Sequence, residues 1–144
     1  MDDEKRKELL ARRAAREKAA EAEKQEREDL ILELEDRFST PDMIRGRHFE
    51  IANTREGVLA VKRSPAMVWA AWTKHLLGLK PTEAPNLDAI INTVVPSLLH
   101  PTPEIFRTWC KGTDAMPGCE AVATAGIDML NHLHIFKAGE ESGK

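Results

Sequence analysis

The chain has 144 residues, 31% of them charged, with a net charge of −3 and a pI near 6.0. That length suits one domain with a core of its own. The nearly balanced, slightly acidic charge excludes the strongly basic footprint of a dedicated nucleic-acid or anionic-membrane binder. Large apolar residues lie almost entirely after Leu30, whereas residues 1–29 are almost wholly charged residues and alanine. The opening stretch has no apolar core of the signal-peptide kind and no run is long enough to span a bilayer. Cys110 and Cys119 therefore read as reduced thiols in a cytoplasm.

Residues 2–37 read as one long helix of Ala, Glu, Lys, Arg, Gln and Leu, uninterrupted by Gly or Pro, with Asp2, Asp3 and Glu4 suited to its positive end. Its apolar stripe is mostly alanine (Ala14, Ala15, Ala19, Ala22 beside Leu9 and Leu10), so a solvated arm is expected before a self-pairing coiled coil. Leu30, Leu34 and Phe38 recur at i, i+4, i+8 with Ile31 beside them and should dock on the globular part.

Ser39–Asp42 ends that helix, and Thr40 with Pro41 can start a short helical turn closed by Gly46. His48–Asn53 and Val58–Lys62 are β-prone runs joined by Thr54-Arg55-Glu56-Gly57. An antiparallel hairpin is expected there, with Phe49 and Ile51 on one face and Gly57 supplying a left-handed residue.

Ser64-Pro65 reads as an N-cap and first helical residue, opening a helix to about Leu77 that Gly78 closes. Met67, Ala70, Ala71 and Lys74 lie along one side of it, and Val68, Trp69, Trp72 and Leu76 crowd the other. Asn86 caps a helix from Leu87 to about Val95, ended by Pro96. Thr102-Pro103 repeats the cap-then-proline signature for a short helix carrying Ile105, Phe106 and Trp109 and ending at Gly112. Asp114–Pro117 starts the last helix, which carries Cys119, Val122, Ala123, Gly126, Ile127, Leu130 and Leu133. The expected organisation is α+β and mainly helical: an extended charged arm over 1–38, a hairpin-plus-helices domain over 39–136, and a disordered polar tail over 137–144.

Catalytic and metal chemistry find little support. Cys110, Cys119, His132 and His134 are the only soft-metal set. The cysteines are too far apart for a zinc knuckle, and the two histidines point to different faces of a helix. Cys119 near a helix start has no marked base partner, and a nucleophile would need one. The carboxylates give no acid/base pair by spacing. Glycine-rich phosphate loops and hydrolase signatures are absent. No enzyme, no cofactor and no metal are expected. Arg45, Arg47, Lys62 and Arg63 make the hairpin region locally basic and are the contacts a nucleic-acid reading would use, although Glu50 and Glu56 dilute them. Met67, Trp69, Trp72 and Leu76 are the candidate partner-binding set, since Trp and Met are enriched at interfaces.

Several short motifs recur in a familiar order: DLILELEDRF (Asp29–Phe38), GVLAVKRSP (Gly57–Pro65), VVPS (Val94–Ser97), PEIF (Pro103–Phe106), PG (Pro117-Gly118) and the closing Ala125-Gly126. In this the chain resembles small proteins from the structural modules of tailed bacteriophages and prophages, of the tail-assembly-chaperone-like kind. The resemblance implies a hairpin with helices and a non-catalytic role in the bacterial host cytoplasm or on the virion. The implied partner is another phage structural protein, such as a tape-measure or tube protein of the tail. A structural virion subunit or scaffold that oligomerises through residues 2–37 is the alternative, and a nucleic-acid accessory protein another.

Overall fold

The computed structural model describes residues 1–111 and 121–142, with side chains as far as Ile135. The expected start signal at Asp114–Pro117, together with Gly112, Gly118 and Cys119, lies outside the described residues.

Helix α1 runs Asp3–Phe38, unbroken over 36 residues and therefore about 54 Å long. Asp2 caps it, its carboxylate accepting from the Lys5 amide at 2.7 Å. Every residue from Met1 to Glu26 is exposed, so that part is held helical by propensity and by i,i+4 pairs such as Glu8–Arg12 and Arg13–Glu17. The last turns behave differently: Leu34 is fully buried, and Leu30, Ile31 and Phe38 pack beside it.

The surface they meet is a sheet. Strands β1 (Phe49–Asn53) and β2 (Val58–Lys62) form the expected antiparallel hairpin, in register from Phe49 opposite Lys62 to Asn53 opposite Val58. A third strand, β3 (Leu98–His100), too short to show alternation in the sequence, pairs antiparallel with the other edge of β2. Central β2 is covered on both faces. Alternation sends Val58 and Ala60 toward Leu34, Phe49 and Ile51, and Leu59 and Val61 toward a larger core beneath. That larger core is built by α2 (Ala66–Leu77), α3 (Leu87–Val94), α4 (Pro103–Lys111) and α5 (Ala121–Ser142). The result is three layers, with the end of α1 on one side of the sheet and the helical group on the other.

Asn86 and Thr102 act as the expected caps, accepting from the amides of Asp88 at 2.8 Å and Ile105 at 3.4 Å. Val95–Ser97 tightens into a 3-10 turn containing Pro96, which stops α3 and delivers the chain to β3.

Three local expectations are corrected. Thr40–Met43 is no helical turn: the two residues exchange backbone hydrogen bonds at 3.0 and 3.1 Å across a tight loop. Gly46, with φ +86°, is the residue that uses the left-handed region, and Gly57 does not. Gly57 is required for space instead, since a Cβ there would fall 2.6 Å from Cη2 of Trp109. Residues 137–142, read as tail, continue helix α5; nothing but one glycine opposes helix there, and proline is absent.

Candidate functional site

Helix α2 carries the candidate surface. Its sequence, AMVWAAWTKHLL, is apolar nearly all round, and such a helix must either be enveloped or present apolar residues to something else. One side is fixed inward. Trp72 is buried between α2 and α3. Trp69 is half-buried and stacks on His134 of α5, rings 4.2 Å apart and nearly parallel at 4°. The corner that launches the helix is pinned as well. Ser64, expected as an N-cap, makes no cap bond; its hydroxyl accepts from Ser97 at 3.0 Å in the interior, and its amide donates to His134 Nε2 at 3.2 Å. Pro65 takes the cap position with no side-chain bond.

The other side is open. Met67 is 86% and Leu77 83% exposed, with Ala70 and Ala71 exposed between them, Ala66 exposed before them and Leu76 at 40%. Of the four residues singled out from the sequence, the structure therefore divides the set. Met67 is on the accessible side, Leu76 lies half a turn round from it at the margin of the tryptophan side, and Trp69 and Trp72 anchor the helix from within. Leu77 also belongs to the surface and was not picked out; it lies three residues beyond Lys74, along the side that Met67, Ala70, Ala71 and Lys74 mark out in the sequence. A groove between α2 and α3, lined by Val68, Ala71, Ala89 and Thr93, runs alongside this surface. His75 sits in it, tilted against Trp72 at 5.7 Å, and its buried Nε2 has no hydrogen-bond partner. The arrangement is an apolar strip, suited to an apolar partner segment.

The basic candidates are not brought together as one free patch. Arg45 donates to Glu50 at 2.8 Å and to the Ile51 carbonyl at 3.2 Å, and pairs with Glu35 at 3.5 Å. Its guanidinium pKa is raised above the ordinary value, first by the bond to Glu50. Lys62 is exposed, while Arg47 and Arg63 are half-buried. Burial, then Arg63 and Arg47, lower the pKa of His48. The neutral ring accepts the Ile44 amide at Nδ1.

Cys110 is buried in the core, where burial first and the Glu56 carboxylate second push its thiol up to about 12. His132 is exposed and His134 is committed to Ser64 and Trp69, so the two do not converge. Among the described residues no group of three or more His, Cys, Asp or Glu is placed to hold a metal ion, and no helix is long and apolar enough to cross a membrane.

One further polar centre went unread in the sequence. Arg27 of α1 donates to Asn53 Oδ1 at 3.0 Å and to the carbonyls of Thr54 at 2.6 Å and Arg55 at 3.2 Å, while pairing with Glu23 at 3.1 Å. It ties the arm to the hairpin turn. No family model matches this chain, and neither a curated protein nor a solved structure is similar to it.

Proposed function

We propose that this protein is a non-enzymatic assembly adaptor that binds another protein through the outer face of α2 and the adjoining α2/α3 groove. The observation that carries the reading is the pair Met67 and Leu77. Both are almost wholly exposed, yet they sit on a helix whose inner side is locked by Trp69 and Trp72. An apolar helix face held rigid at low internal cost is what helix-in-groove recognition uses. The order of motifs shared with tail-assembly-chaperone-like phage proteins supports a virion component, such as a tail tube or tape-measure protein, as the partner. Covering apolar surface on such a partner until assembly displaces the cover needs no chemistry.

Co-expression with tail tube and tape-measure proteins of a tailed phage, followed by co-purification, tests the reading. Met67→Glu with Leu77→Glu should abolish capture while leaving the far-ultraviolet circular dichroism and thermal midpoint unchanged, because both side chains already face solvent. Capture that survives both substitutions sinks the assignment to α2.

A further inference from the structure

Helix α1 has a charge order that its own ion pairs use only in part. Residues 5–18 carry seven Lys or Arg against two Glu, a net +5, and residues 21–36 carry eight Asp or Glu against two Lys or Arg, a net −6. Four i,i+4 pairs are formed along the helix: Glu8–Arg12, Arg13–Glu17, Glu23–Arg27 and Glu33–Arg37. Among the described residues, Lys7, Arg16 and Lys18 in the basic half and Glu21, Glu26 and Glu28 in the acidic half form no ion pair.

The helix also has an unpartnered face. At about 100° per residue, Leu10, Ala11, Ala14, Ala22 and Leu32 lie on the side of α1 roughly opposite Arg27, Leu30 and Leu34, which meet the domain. Leu10 is 53% and Leu32 64% exposed, and they mark the two ends of a row whose middle mixes Ala14 and Ala22 with the charged Lys18 and Glu21. Leu32 is notable because its neighbours Ile31 and Leu34 are drawn onto the sheet while it points away.

We propose that the arm pairs antiparallel with the arm of a second copy of this chain, crossing near residue 20. In that orientation the basic half of each arm lies along the acidic half of the other. Leu10 of one copy then sits close to Leu32 of the second at both ends, and Lys18 lies near Glu21 at the centre. Parallel pairing would instead stack Lys7, Lys18, Glu21 and Glu28 each on its own kind, which is repulsive. The seam is held chiefly by charge, and the domains, carried on the opposite face, stay clear of it. This pairing does not rest on the reading of α2.

Light scattering on the full chain, at about 50 mM and about 500 mM salt, tests it. A particle of twice the 16.1 kDa chain mass is expected at low salt, with self-association weakened roughly tenfold at high salt. Glu21→Lys/Glu26→Lys/Glu28→Lys and Lys7→Glu/Arg16→Glu/Lys18→Glu should each be monomeric alone and should form a mixed dimer when combined. All six positions are exposed on the helix, and circular dichroism checks that both variants stay helical. Met67→Glu/Leu77→Glu should dimerise as the wild type does. A monomer at low salt, an association that salt strengthens, no mixed dimer, or a dimer lost with the α2 substitutions would each overturn the proposal.

Discussion

Cys110 shows how one side chain's surroundings set its chemistry. The unfolded chain ionises a thiol around its ordinary 9.0, whereas in the core it is held protonated to about 12. Stability contributed by this group is therefore full below pH 9 and drains away as pH climbs toward 12. In the native protein, iodoacetamide should leave Cys110 unlabelled at neutral pH and modify it only after unfolding, as peptide mass mapping would report. The histidines give the opposite limb. His48 and His100 both have lowered pKa values, each first by burial, so the unfolded chain takes up their protons before the folded one. Stability should fall as pH drops below the ordinary histidine range, and urea titrations across pH 5 to 7 would show the slope. Gly57 is a residue whose role depends on a neighbour 52 positions away. Gly57→Ala forces the Trp109 ring to move, which should cost about 1–3 kcal/mol and shift the tryptophan fluorescence.

At the level of elements, the hairpin, the long helix and the capped starts of α3 and α4 were legible because their signals are local: alternation, Asn86, Thr102-Pro103 and an uninterrupted run of helix formers. What escaped was long-range. Leu98–His100 is three residues with no alternation to read, and it becomes a strand because the open edge of β2 is there to receive it. Ser64 looks like a cap in sequence, but Ser97, 33 residues on, competes for its hydroxyl and wins. The candidate site was half legible for the same reason. Spacing separated two sides of α2, yet which side faced water depended on α3 and α5, and the tryptophans were taken inward. The docking of α1 makes a prediction at this scale. Leu34→Ala should lose about 2–5 kcal/mol, since the side chain is fully buried against the sheet. Arg27→Ala should lose about 1–3 kcal/mol and speed hydrogen exchange selectively in Asn53–Glu56, where its carbonyl partners lie.

For the whole molecule, the boundary between arm and domain lies inside α1. Expected at residue 38, it falls near Glu23–Arg27, because the last turns of the helix are one of the three layers. Removing residues 1–22 should leave the thermal midpoint unchanged at high salt, whereas removing residues 1–29 should lower it by taking away the Arg27 ties. Differential scanning calorimetry on the two truncations would separate these outcomes. That continuity has a mechanical consequence. A projection joined by a flexible linker would search a large volume and lose that freedom on capture, whereas a helix rooted in the core by Leu34 has no joint to freeze. Its tip, about 36 Å beyond the tie at Arg27, is a lever set at a fixed angle to the sheet. Whatever grips it also orients α2, so bearing and reach are settled before any partner arrives.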